Sequence, residues 1–239
     1  MNILSIDTST KNFSLAVSRG QRVVRYRNIR LDKVLESSII PAIDGILKLA
    51  KIRFKDLDGF AVGLGPGSFT SLRVGLSTIK AFALATGKPV VGVCSLDVVA
   101  LNVLEEKCDE ICVIMDARRN LLYACLYRQE NGELIRKTEP MLISLDDLLD
   151  KVHGRTLFVG DAVVLVKNTI KEKYRQAAEQ GSKCVALFAP GSAGIPQARK
   201  LFMLAFGRFC KKEYDDSEVL NPVYLYAQDC QVQNPLNGQ

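Results

Sequence analysis

The chain has 239 residues, enough for one large domain or for two lobes of about 100 residues each, and its 48% hydrophobic and 24% charged content is that of an ordinary globular protein. No apolar stretch approaches a membrane-spanning length, so a cytoplasmic protein without a membrane partner is expected. The formal charge of +6 and the pI near 8.9 admit an anionic partner, but the Lys and Arg residues read as scattered, with no dense basic run.

Asn2 to Ile6 alternates and reads as a strand, and Phe13 to Val17 and Arg22 to Tyr26 read as two more, giving an antiparallel meander. The opening segment meets Asp7 too early for a signal peptide. Leu31 to Ala50 then places apolar residues at Leu35, Ile39, Ala42, Ile46 and Leu49, with a second row at Ile40, Ile43 and Leu47. This spacing predicts a helix whose apolar face is wider than one core contact requires. Pro41 lacks a backbone donor and crowds the preceding turn, which predicts a kink or restart there. A strand over Gly59 to Leu64, a glycine-proline loop, a helix from Ser68 to Thr86 and a strand over Val90 to Val93 complete the first half.

The second half begins as the first does. ILSID-TSTKN-FSLAV and CVIMD-ARRNL-LYACL are each an apolar strand ending in an acid, a short polar turn and an alternating return strand, with Asp7 and Asp116 in equivalent places. A helix around Leu145 to Lys151, a strand over Leu157 to Val159, a helix from Ala162, a strand over Val185 to Phe188 and a helix starting near Pro196 follow. Pro196 suits a first helical position. The expected architecture is α/β, with a lobe over 1–103, a second over 104–227, a polar tail over 228–239 and a cleft between the lobes.

Four groups of residues are candidates for chemistry. In GLGPGSFTSLRVG, Gly63 to Gly75, glycines precede a helix start that can bind an anion. The P-loop lysine is missing, however, and Gly65, Pro66 and Gly67 equally suit a tight turn capped by Ser68 or Thr70. Asp7, Thr8, Ser9 and Thr10 put a carboxylate and three hydroxyls in one hairpin, which can place a metal and phosphate oxygens or fold into local Asx and Ser/Thr turns. Arg118 and Arg119 can meet phosphate or a carboxylate, or stand solvated. His153 is the single histidine, and the seven cysteines (Cys94, Cys108, Cys112, Cys125, Cys184, Cys210, Cys230) form no C-x-x-C pair, so neither a zinc site nor a Ser-His-Asp apparatus is expected.

Taken together, ILSIDTST, GLGPGSFTSLRVGLSTIKAFALATGKPVVGV, MDARRNLLYACLY, FVGD and NPVYLY resemble the TsaB (YeaZ) family, bacterial proteins of tRNA threonylcarbamoyladenosine biosynthesis. The resemblance covers nearly the whole chain. It implies a two-lobed fold of the actin-like ATPase class, a duplicated RNase H-like unit, and a role in placing threonylcarbamoyl on N6 of the adenosine beside the anticodon in tRNAs that read codons beginning with A. In that family a TsaD-type partner, which holds metal through an H-x-x-x-H pair, performs the transfer, and a TsaE-type ATPase joins the complex. The TsaB member is a non-catalytic scaffold that forms a heterodimer with the transferase or a homodimer when alone. The resemblance thus implies a pseudo-enzyme with no cofactor of its own, ATP or ADP being accommodated at the complex interface and tRNA being the substrate of the assembly. Asp7, Thr8, Ser9 and Thr10 then stand as a vestigial nucleotide site. Two positions depart from the family: Ser71 replaces a usual glycine, and Leu35 stands where relatives often carry histidine.

Family complexes pair the first two helices of each subunit in a four-helix bundle. Ile39, Ile40, Ile43 and Leu47, with Leu72, Leu76, Ile79 and Ala83 on the second helix, are therefore expected to bind the partner, unless both rows cover the sheet. The rival readings are a free-standing ATP-dependent phosphotransferase of the same fold and, more remotely, a metallopeptidase.

Overall fold

The computed structural model describes residues 1–30, 35–130, 132–181 and 183–226; the expected helix start at 31–34 and the polar tail at 228–239 lie outside the described residues. Strands β1 (Asn2–Asp7), β2 (Asn12–Arg19) and β3 (Arg22–Arg30) form the expected antiparallel meander. After helix α1 (Leu35–Ala50), β4 (Gly59–Gly63) pairs parallel with β1, α2 (Phe69–Thr86) crosses over, and β5 (Val90–Val93) pairs parallel with β4. The strand order is β3-β2-β1-β4-β5.

Helix α3 (Ser95–Leu101) leads into β6 (Glu110–Arg118), β7 (Leu121–Glu130), β8 (Glu133–Arg136), β9 (Met141–Ser144), α4 (Leu145–Leu149), β10 (Arg155–Val159), α5 (Val163–Glu179), β11 (Val185–Phe188) and α6 (Ala198–Lys211). The second sheet runs β11-β10-β6-β7-β8, with β9 also paired to β7. Each sheet thus has an antiparallel meander on one side of its first strand and two parallel strands on the other, which is the duplication read from the two hairpins. The central strands are buried on both faces, and this is why they appear in sequence as nearly unbroken apolar runs.

Both faces of the first sheet are covered. Ile39, Ile43, Ile46, Leu47, Leu76, Ile79 and Ala83, from α1 and α2, pack on one face against Leu4, Ile6, Leu15 and Phe60. Leu201, Phe202, Ala205 and Phe209 of α6 pack on the other with Ile3, Ala61, Val91 and Val98. The chain order groups α6 with 104–227, yet its apolar face lies against the first sheet. Helix α3 bridges the lobes: Leu96 and Val99 join the core of the second sheet, and Asp97 accepts from Tyr127 Oη at 2.8 Å and from Arg136 Nη2 at 2.6 Å.

Several local expectations are corrected. Helix α1 runs through Pro41, so the expected restart does not occur; Pro41 sits on the exposed side and the buried residues keep one phase across it. Ser68 holds the N-cap position of α2 but does not cap with its side chain; its hydroxyl lies 3.0 Å from Ser71 Oγ. Pro196 stands before the Gln197 N-cap rather than inside α6. Helix α3 and the short strands β8 and β9 were not foreseen; every residue of α3 but Asp97 is buried, so it shows no amphipathic period.

Candidate functional site

The parallel strands β1, β4 and β5 end at Asp7, Gly63 and Val93, and ligands of open α/β sheets gather outside such carboxyl ends. Here that edge is filled by the chain itself. Asp7 is fully buried, its Oδ1 accepting from Ser9 N at 2.9 Å and Ser9 Oγ at 2.6 Å, and its Oδ2 accepting from Ser95 Oγ at 2.7 Å. Burial pushes the Asp7 carboxyl above its ordinary value, and the serine hydrogen bonds only partly oppose this. Thr8 Oγ1 donates to Ser71 O at 2.8 Å, while Thr10 Oγ1 donates to Asn12 O at 3.2 Å and accepts from Asn12 N at 3.1 Å. Each member of the hairpin set therefore has an internal partner.

The glycine-proline loop lies directly on this hairpin. Three of its N–H groups point inward: Leu64 donates to Val93 O at 2.8 Å, Gly65 to Ser95 Oγ at 3.1 Å and Ser68 to Ser9 O at 2.8 Å. A phosphate cradle needs such donors turned outward. Gly67 has no room for a side chain, since a Cβ there would overlap Ser9 O, and a Cβ on Gly75 in α2 would overlap Thr8 Oγ1. The glycines thus serve close packing of loop and helix on the hairpin, the structural alternative of the sequence reading.

A feature that sequence reasoning missed closes the same region. Residues 223–226 run from the first lobe to the second as a strap. Val223 N donates to Leu64 O at 2.8 Å, Tyr224 lies 5.1 Å from Phe69 and accepts from Arg73 Nε at 3.1 Å, and Tyr226 Oη donates to Ala117 O at 2.7 Å. The motif NPVYLY was the only signal.

In the second lobe Asp116 occupies the place of Asp7, at the carboxyl end of β6, but is partly exposed and ion-paired with Arg118 at 3.2 Å. Its N–H donates to Asp161 Oδ1 at 3.0 Å. Burial, with the Asp116 charge adding to it, raises the Asp161 carboxyl above its usual value, while that N–H opposes the shift. Arg118, Arg119 and Asn120 all adopt left-handed backbone, with φ of 68°, 51° and 59°. His153 is exposed in the turn after α4, its N–H donating to Glu110 Oε2 at 3.3 Å. Among the described residues no three His, Cys, Asp or Glu side chains gather into a metal-binding group. No described helix is long and apolar enough to cross a membrane. Cys112 lies in β6, and burial raises the thiols of Cys112 and Cys125, with Cys94 pushed up to about 12.

Of the eight residues expected to meet a partner, Ile39, Ile43, Leu47, Leu72, Leu76, Ile79 and Ala83 are buried within the chain, and only Ile40 is exposed, at 50%. All of the buried ones but Leu72 pack in the core over the first sheet. The outward faces of α1 and α2 carry Ile40, Leu49, Ser77, Ala81, Leu84 and Ala85 instead, with Leu84 82% exposed.

Comparison with known proteins accords with this architecture. The family model described as "TsaD: tRNA N6-adenosine threonylcarbamoyltransferase" matches residues 32–220. A Bacillus subtilis protein named tRNA threonylcarbamoyladenosine biosynthesis protein TsaB is 31% identical over 72% of this chain and 76% of its own length. The Escherichia coli protein of the same name is 24% identical over 94% of each chain. The solved structure of YeaZ from Pseudomonas aeruginosa superposes with a TM-score of 0.74 at 23% identity, covering 94% of this chain and 99% of that one. A ROK hexokinase from Thermus thermophilus shares the fold at a TM-score of 0.51 and 12% identity, over 87% of this chain and 99% of its own, which agrees with an actin-like ATPase architecture. With the duplicated sheets, the matched family model and relatives of one name across bacteria, the chain belongs to the TsaB (YeaZ) family of tRNA threonylcarbamoyladenosine biosynthesis proteins.

Proposed function

We propose that this chain is a non-catalytic scaffold that binds and activates a TsaD-type transferase in N6-threonylcarbamoylation of the adenosine beside the tRNA anticodon. The observation that carries this reading is the filled strand edge, where Asp7, Ser9 and Ser95 satisfy one another beneath the glycine loop. A phosphotransferase would need those groups turned toward a nucleotide. In this reading the chain acts in the cytoplasm and needs no cofactor of its own, ATP or ADP being held at the complex interface. The outward face of α1 and α2 is the docking surface. Its exposed Ile40 and Leu84 supply apolar area, and Ser77, Ala81 and Ala85 let a partner helix approach closely. A TsaE-type ATPase joins the heterodimer, and a second copy of the chain uses the same face when the transferase is absent.

Depletion of the protein is expected to remove threonylcarbamoyladenosine from tRNA hydrolysates; an unchanged level would refute the role. Calorimetry of the isolated chain with ATP and magnesium is expected to show no tight binding. Submicromolar binding with turnover would favour the phosphotransferase instead.

A further inference from the structure

We infer that the groove between β3 and the start of α6 is an RNA-binding surface, taking tRNA phosphates on Arg199 and Lys200 and a base on Tyr26. Val23, Tyr26, Arg199, Lys200 and Met203 line a groove of about 350 Å³. Tyr26 and Met203 are 52% and 56% exposed, and the Arg199 guanidinium lies 4.9 Å from the centre of the Tyr26 ring. A half-exposed aromatic ring beside cations that have no carboxylate partner is the combination on which single-stranded bases stack while their phosphates are neutralised.

The segment that carries Tyr26 has charge of one sign, with Arg25 and Arg27 alternating with Tyr26 and so projecting from the other face of the sheet. From Thr8 to Leu31 the chain contains Lys11, Arg19, Arg22, Arg25, Arg27 and Arg30 and no acid. Among the described residues no carboxylate lies within ion-pair distance of Arg22, Arg25, Arg27, Arg199 or Lys200, whereas Arg136, Arg175 and Arg208 are all paired. β3 is also the outer strand of its sheet. Arginines spaced along it discourage another chain from adding as a strand. An extended peptide is therefore a poorer occupant than a polyanion that needs no backbone pairing.

The sheet separates this groove from the α1–α2 face. α6 covers the side opposite α1 and α2, so a chain docked through those helices leaves Tyr26, Arg199 and Lys200 accessible. The inference rests on the proposed function only in its choice of tRNA.

The test is fluorescence anisotropy with an unmodified tRNA transcript, using the full chain alone and mixed with its TsaD-type partner. Each phosphate contact contributes about fivefold to affinity at 0.1 M salt, because log K changes by about 0.7 per contact per decade of salt for a single strand. R199Q/K200Q should therefore bind about 25-fold more weakly, with a salt slope shallower by about 1.4. Lys200→Gln alone leaves Arg199 on Tyr26 and on Gln197 and should lose about fivefold. Tyr26→Ala should lose about fivefold or more with an unchanged slope, and Tyr26→Phe should retain affinity. Wild-type affinity and slope in both charge variants would overturn the inference, and so would polyglutamate displacing tRNA as well as unlabelled tRNA does. Because the isolated chain is measured separately, failure to bind the transferase would refute the scaffold role without deciding the groove.

Discussion

Leu84 and Ile43 separate the proposed docking surface from the core. Leu84 is 82% exposed in the last turns of α2, whereas Ile43 is 3% exposed between α1 and the sheet. Leu84→Arg keeps a good helix former and places a cation near a helix C-terminus, so stability should change by no more than about 0.5 kcal/mol. If a partner covers this face, burying the leucine contributes about 2 kcal/mol, and its loss weakens the complex about 30-fold, with guanidinium desolvation adding to that. Ile43→Ala should do the reverse. A cavity costs about 2–5 kcal/mol, which lowers the melting temperature by about 5–15 °C for a chain of this size while partner affinity stays unchanged. Thermal unfolding of each variant, followed by calorimetry with the TsaD-type partner at a temperature where both are folded, decides the matter. Wild-type affinity in Leu84→Arg, or an equal loss of affinity in folded Ile43→Ala, would refute the outward-face assignment.

Two further perturbations address the filled strand edge. Gly75→Ala gains up to about 1 kcal/mol of helix propensity but drives a methyl into Thr8, where overpacking costs about 1–3 kcal/mol. Net destabilisation is expected, with recovery in the Gly75→Ala/Thr8→Ala double variant; a more stable single variant in urea titrations would show that the contact is loose. For Asp7, burial raises the folded carboxyl above 3.8, so the unfolded chain releases its proton first and stability is lost as pH rises from 3.8 through the folded value. Asp7→Asn lacks this titration. The stability of wild type relative to Asp7→Asn should fall as pH rises above 3.8 in urea titrations, and a rise would mean that the serine hydrogen bonds outweigh desolvation.

Much of this was legible locally. The alternation in β1 and β2, the turn at Gly65–Gly67 and the repeated hairpins with their terminal acids are short-range patterns, imposed by the backbone period and by residues with special dihedrals. Even the basic stretch that flanks the groove was present, but its arginines are separated by apolar residues and read as scattered until β3 became an outer strand. Arg199 and Lys200 are remote from that stretch in sequence, and no local signal joins them to Tyr26.

By itself, therefore, the sequence determined most of the elements, their duplication and the family, but not α3, β8 or β9. The tertiary structure decided what covers each face. Periodicity marked Ile40 and Ile43 alike as apolar, but burial depends on which surface meets the helix, and only Ile43 meets the sheet. The same dependence turned the glycines of GLGPGSFTSLRVG from a phosphate cradle into contacts on Ser9 and Thr8, and brought α6 back to the first sheet. Hydrophobic burial is non-directional, so an apolar stripe announces that it will be covered without naming its cover.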